Sequence, residues 1–135
     1  MIRSFALRRA WGPAVEAPVL VMREGFSPRY DLDRWTGMIS RIGHTAEGRS
    51  IRGCILLIPT SKGGVAGGWA FYDLLHKDIA PAGLVFGRLN PVMVQGAVLA
   101  GLPIGDGAPA EALDTLRSGD PVRLDPSART LMVLK

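Results

Sequence analysis

Apolar and polar positions alternate loosely from Met1 to Ala10, which predicts an opening strand. Val15-Glu16-Ala17-Pro18-Val19-Leu20-Val21 carries β-branched residues around a proline. Proline has no N–H for a ladder, so this run is expected at a sheet edge or a strand start. Gly25 to Trp35 is polar and turn-rich, Thr36-Gly37-Met38-Ile39 reads as a turn entering a strand, and His44 to Ser50 is a further polar loop. The clearest strand is Ile51 to Pro59, where Cys54-Ile55-Leu56-Leu57-Ile58 is continuously apolar between Gly53 and Pro59. Such a run fits a strand covered on both faces.

After this strand comes Thr60-Ser61-Lys62-Gly63-Gly64-Val65-Ala66-Gly67-Gly68. A helix is predicted over Trp69 to Lys77, closed by Asp78-Ile79-Ala80-Pro81, because proline cannot continue it. Gly83 to Phe86 reads as a short buried strand with Arg88-Leu89-Asn90-Pro91 as its exit loop. Pro91 to Ala100 fits a helix with proline in its first turn, and Leu102-Pro103-Ile104 a third short strand. Asp106 to Ala110 looks linker-like, and Glu111 to Arg117 a short helix or turn. Ser118 to Leu124 and Arg129 to Leu134 read as a closing hairpin around Asp125-Pro126-Ser127-Ala128. Strands flanking a strand–helix–strand–helix unit predict an α/β domain with a mixed sheet or two β layers.

Length and composition narrow the function. The 135 residues fit one domain spanning 1–135, and 17 glycines with 10 prolines argue for turns rather than a helical bundle. The net charge of +4 comes from scattered arginines and lysines. No basic stripe alternates with aromatics, so no nucleic-acid partner is expected. The balance favours an anionic small molecule or an acidic partner face. Cys54 is the single cysteine, which excludes an internal disulfide and suits a reducing compartment. Arg8, Arg9 and Trp11-Gly12-Pro13 interrupt any signal-peptide core, and no apolar run approaches the ~20 residues of a membrane span. A cytoplasmic protein with no membrane partner is expected.

The candidate chemistry lies between Pro59 and Gly68. Glycine removes Cβ and permits positive φ, so backbone N–H groups can crowd a ligand. A helix start adds free donors and partial positive charge, and Lys62 a full one. The spacing matches neither a P-loop nor the dinucleotide fingerprint. Two readings stay open on these residues alone: an anion site, or glycines that let the helix pack closely on the sheet. Asn90, beyond a short buried strand, either orients a substrate carboxylate or caps a turn. Cys54 reads as a core thiol, and His76 as a cation favoured near a helix end. His44, Glu24, Asp31 and Asp33 read as solvated loop residues. Trp69, Phe71 and Tyr72 are expected in the core, with one ring at a partner surface.

Lys62-Gly63-Gly64-Val65-Ala66-Gly67-Gly68-Trp69-Ala70-Phe71-Tyr72-Asp73-Leu74, followed by Asn90-Pro91 and Gln95-Gly96-Ala97-Val98-Leu99-Ala100-Gly101-Leu102-Pro103, resembles the aconitase X small-subunit family. The likeness begins near Trp35-Thr36-Gly37 and Gly48-Arg49-Ser50-Ile51-Arg52-Gly53 and runs through the closing hairpin. It implies an α/β swivelling β/β/α domain similar to the mobile fourth domain of aconitase. It implies a large catalytic subunit as partner, carrying most of the substrate site and an iron or iron–sulfur centre, with no metal or cofactor held by this chain. Relatives of this kind dehydrate hydroxy-carboxylates, including phosphomevalonate and cis-3-hydroxyproline. A base removes a proton beside a carboxylate while a metal helps the hydroxyl leave.

In active relatives a serine follows the first glycine of the loop and serves as base; here Gly64 stands there. Ser61, beside Thr60, is the substitute expected to be catalytic; the alternatives are a subgroup with another substrate or one whose base comes from the large subunit. Lys62, Gly63, Gly64, Gly67, Gly68 and Asn90 are the expected substrate-binding residues. The chain is then not catalytic alone and contributes the glycine-rich segment to a shared site. A rival reading is a stand-alone module that binds a small anion or regulates. A third is an unrelated structural domain whose glycine loop stays empty.

Overall fold

In the computed structural model, residues 3–27, 30–61, 65–89, 98 and 101–134 are described, with backbone only at 65–69. The strands are β1 (Arg3–Ala6), β2 (Arg9–Trp11), β3 (Val15–Val21), β4 (Leu32–Asp33), β5 (Met38–Ile39), β6 (Ile55–Thr60), β7 (Gly83–Arg88), β8 (Ile104–Asp106), β9 (Pro121–Asp125) and β10 (Thr130–Val133). Helix α1 spans Val65–His76 and α2 spans Ala110–Thr115. The main sheet has the order β1-β10-β9-β3-β6-β7-β8-β2, and β4 and β5 form a small hairpin. β3, β6, β7 and β8 run parallel, so their carboxyl ends share one edge. The flanking strands are antiparallel.

β6 is the axis of the molecule. Side chains alternate across a strand, so Leu56 and Ile58 enter one apolar cluster while Ile55 and Leu57 enter another. The first cluster packs against Phe71 and Leu74 of α1 and against the excursion between β3 and β6, including Ile39 and Ile51. The second packs against Phe5, Leu131, Val122 and Leu124 of β1, β10 and β9, and against Ala112 of α2. The antiparallel strands therefore fold over the face opposite α1, giving the β/β/α layering expected of a swivelling domain. Leu57 is fully buried, and truncation to Ala would cost about 2–5 kcal/mol. Leu7 N–H donates to Arg129 O and Arg8 N–H to Asp106 O, both at 2.8 Å. Two consecutive residues thus tie the two ends of the strand order, and the sheet rolls on itself.

Several boundaries differ from expectation for identifiable reasons. Pro18 lies in an interior strand, not at an edge or strand start. It is tolerated because it sits at a changeover: β3 pairs β9 up to Pro18 and β6 only from Val19. β6 begins at Ile55 rather than Ile51, because a turn closes on Cys54 N–H to Ile51 O (3.1 Å) and Gly53 takes φ +70°. Ile51 still fills the core from that turn. The opening segment is two strands, broken where Leu7 and Arg8 cross between sheet ends. The stretch expected to be a linker is not one: Asp106 ends β8 and Ala108 is buried. The closing hairpin appears as expected, in register Leu131↔Leu124. Helix α1 stops where Asp78 adopts φ +59° and Ile79 N–H returns to Leu74 O (3.1 Å), a left-handed stop that closes the last turn. The helix expected at Pro91 to Ala100 falls largely outside the described residues. Among the described residues no helix is long and apolar enough to cross a membrane.

Candidate functional site at the carboxyl edge of the parallel strands

Ser61 follows β6 directly and lies half-buried at its carboxyl end. It forms a parallel bridge with Phe26, and its N–H donates to Arg88 O (3.1 Å). Thr60 pairs in register with Arg88, the last residue of β7, and its hydroxyl donates to Ser61 O (3.3 Å). Gly87 permits this close approach: a Cβ there would meet Pro59 O at 2.7 Å. In open α/β sheets ligands gather beyond such ends, and α1 opens four positions after Ser61.

The helix start corrects one expectation. α1 begins at Val65, not Trp69, so Gly67 and Gly68 are helical residues of its opening turns rather than loop. Two glycines there weaken the helix by about 1 kcal/mol each relative to alanine. Lys62, Gly63, Gly64 and Asn90 lie outside the described residues.

A buried carboxylate missing from the expected site stands at this edge. The Asp106 side chain is only 6% exposed. Its Oδ2 accepts from Arg9 Nη2 (2.8 Å) and Nε (3.2 Å), and its Oδ1 accepts from Leu89 N–H (3.0 Å). Burying a charge is costly unless it is paired and hydrogen-bonded, and here it is both. The signal for it in the sequence was slight: an acid ending an apolar run, and an arginine ninety-seven residues away whose register cannot be read without the sheet.

Other acidic and histidine residues also depart from the solvated reading. Asp31 is fully buried; its Oδ2 accepts from Ser27 N–H (2.9 Å) and its Oδ1 from Arg41 (3.1 Å). His44 is buried, with Nδ1 accepting from Ala46 N–H (3.1 Å). Its remaining ring nitrogen, Nε2, has no hydrogen-bond partner and lies 3.7 Å from Glu24 Oε1. Burial raises the Glu24 carboxyl, but bonds from the Thr45 hydroxyl and backbone, with His44 nearby, outweigh it and hold the group below its ordinary value. Asp33 remains partly exposed and accepts from Trp35 N–H (2.9 Å). Phe71 is core as expected, whereas Tyr72 is exposed and meets His76 edge-on at 4.6 Å. Cys54 is half-buried just before β6; burial pushes its thiol up, and Arg49 opposes this.

A cleft of about 180 Å³ lies beside Pro59, lined by Met22, Arg23, Ala110, Leu113 and Asp114. Arg23 reaches Leu113 O (3.0 Å) there, and the described lining contains no Ser, Thr, Cys, Lys or His to act as a nucleophile. Among the described residues no cluster of three or more His, Cys, Asp or Glu could hold a metal ion. The site's described chemistry is the Ser61 hydroxyl beside the bonded peptide of Arg88 and Leu89 and the buried Asp106–Arg9 pair.

Comparison with known proteins agrees with this fold. The family model described as "Aconitase X swivel domain" matches residues 4–133. A phosphomevalonate dehydratase small subunit from Methanothrix thermoacetophila is 33% identical over 126 residues, covering 93% of this chain and 90% of the relative. Another from Methanocella arvoryzae is 29% identical over 120 residues, covering 89% and 91%. The crystal structure of Thermococcus kodakaraensis aconitase X in its holo-form superposes with a TM-score of 0.90 at 27% identity, covering 98% of this chain and 99% of that one.

Proposed function

The chain belongs to the aconitase X swivel-domain family, and from that premise we propose that it is the small subunit of an aconitase X-type dehydratase. Its substrate is a hydroxy-carboxylate. The relatives named as phosphomevalonate dehydratase small subunits make a phosphorylated one the first to test. The partner is a large catalytic subunit that carries most of the substrate contacts, so the chain does not turn over substrate alone.

The observation that carries this reading is the place of Ser61, fixed at the end of β6 with α1 opening just beyond it. In the proposed reaction Ser61 acts as its alkoxide, its own proton having passed to a base of the large subunit, and Oγ takes the proton beside the substrate carboxylate to become the hydroxyl again. Lys62, Gly63 and Gly64, with the backbone amides of the first turn of α1, which includes Gly67, receive the substrate's negative charge. Free N–H donors and helix-end charge favour an anion there. Asn90, two positions after β7 in the sequence, orients the carboxylate in this reading. An iron or iron–sulfur centre on the large subunit would supply the Lewis acidity that helps the hydroxyl leave, with a proton from an acid of that subunit completing the water.

The test is co-expression with the large subunit, purification of the complex and assay on a panel of hydroxy acids. Turnover is expected only with both chains, and Ser61→Ala should lower kcat by about 10²–10⁴-fold. A stable monomer that binds phosphate or a hydroxy acid tightly and recruits no partner would instead support a stand-alone anion-binding module.

A further inference from the structure

The peptide group between Arg88 and Leu89 is held at both ends. Its C=O accepts from Ser61 N–H (3.1 Å), and its N–H donates to Asp106 Oδ1 (3.0 Å). A peptide is planar, with its N–H and C=O on opposite sides when trans, so one bond at each end fixes the rotation of the whole plane. Asp106 is fixed in turn by two bonds from Arg9 to its other oxygen. Gly107 lets the chain pass Arg8 at this point: it adopts φ +79°, and a Cβ would lie 2.3 Å from Arg8 Cβ. The result is a line of hydrogen bonds from Arg9 on β2, through Asp106 on β8 and one peptide of β7, to the amide of Ser61 beyond β6.

We propose that Asp106 is a positioning residue for Ser61, acting through the Arg88–Leu89 peptide plane. The carboxylate draws the Leu89 N–H and polarises the carbonyl of the same peptide, strengthening its bond to Ser61 N–H. The buried Asp106 carboxylate also satisfies the Leu89 N–H and pairs with Arg9 across β2 and β8, and the same bonds orient the peptide that holds Ser61 N–H. An apolar side chain would fill the space without a charge to compensate.

The consequence for catalysis rests on the proposed role of Ser61; the consequence for backbone geometry does not. Two readouts separate them. The first is amide hydrogen exchange on the full chain. Asp106→Asn leaves an acceptor for only one of the two partners, so the Ser61 and Leu89 amides should exchange about tenfold faster, in line with loss of one charge-assisted bond. The Leu57 and Val85 amides on the same strands should not change, which a general loss of stability would not allow. Arg9→Gln removes only the pin and should give a smaller shift in the same direction, and it serves as the second variant should Asp106→Asn fold poorly. The second readout is the reconstituted complex. Asp106→Asn should lower kcat by about 10–100-fold with KM nearly unchanged, as expected for a misplaced reacting group. Asp106→Ala should be slower still, so that Asn rescues in part. Unchanged exchange at Ser61 in both Asp106→Asn and Arg9→Gln would overturn the positioning role whatever the turnover. Faster exchange at Ser61 with turnover insensitive to Ser61→Ala would leave the geometry standing and remove the catalytic reading of Ser61.

Discussion

Asp31 and Asp106 are two buried carboxylates built to the same plan and put to different uses. Among the described residues, each accepts from a backbone N–H, at 2.9 Å from Ser27 and 3.0 Å from Leu89. Each pairs with one half-exposed arginine, Arg41 or Arg9. Among the described residues, Asp31 is bonded to partners four and ten residues away, so these bonds close one excursion of the chain on itself. The partners of Asp106 lie seventeen and ninety-seven residues away and join three strands. A local brace shapes the loop that carries it. A distant brace transmits position, and here it ends at the carboxyl edge where Ser61 sits. Chemical type and burial alone therefore do not separate a folding residue from one that serves the site; what the bonded partner touches next does.

The sharpest way to break this contrast is to remove both carboxylates in turn. Asp31→Ala and Asp106→Ala should each destabilise the fold by about 2–3 kcal/mol, chiefly by leaving a backbone N–H without its acceptor, while the half-exposed arginine turns to water. Chemical denaturation checks this. In the reconstituted complex only the Asp106 variant should lose turnover, and equal losses from both would erase the distinction.

A pair of glycines sharpens it. Gly53 in the excursion and Gly107 beside Asp106 both have positive φ, +70° and +79°. A Cβ at Gly53 meets nothing within 4 Å, whereas one at Gly107 would meet Arg8 Cβ at 2.3 Å. Gly53→Ala should cost about 1–2 kcal/mol of backbone strain. Gly107→Ala adds a clash, should cost at least about 1 kcal/mol more, and should also speed exchange at Ser61.

The smallest effect is in the pH dependence. Because the Glu24 carboxyl lies below its ordinary value in the folded chain, folding stability from it is present above that ordinary value and lost as pH falls through the lowered one. Glu24→Gln should flatten the acid side of the stability profile by well under about 1 kcal/mol, since the side chain is 40% exposed and water screens it. A steeper acid limb in the variant would reverse the assigned sign.

The sequence made the sheet legible where burial leaves a one-dimensional trace. The unbroken apolar run before Pro59 marked β6, and alternation with turn residues marked the β9–β10 hairpin. The glycine-rich motif marked the edge where Ser61 lies. It did not mark where the helix begins, because glycines at 67 and 68 disfavour a helix by propensity and are overridden by context. His44 and Asp31 were read as solvated because polar residues in a polar segment usually are, while burial depends on what the segment folds against. Asp106 was invisible for a deeper reason. Its meaning depends on β2 and β8 being neighbours, and strand order is a property of the closed sheet rather than of any window along the chain.

The most direct measurement is a double-mutant cycle on kcat of the two-subunit enzyme, with Ser61→Ala and Asp106→Asn singly and together. Residues that act through one another are not additive. If Asp106 serves turnover only by placing Ser61, Asp106→Asn should cost nothing further once Ser61 has become alanine. If instead the two losses multiply, Asp106 does not work through Ser61 and the account of this edge is wrong.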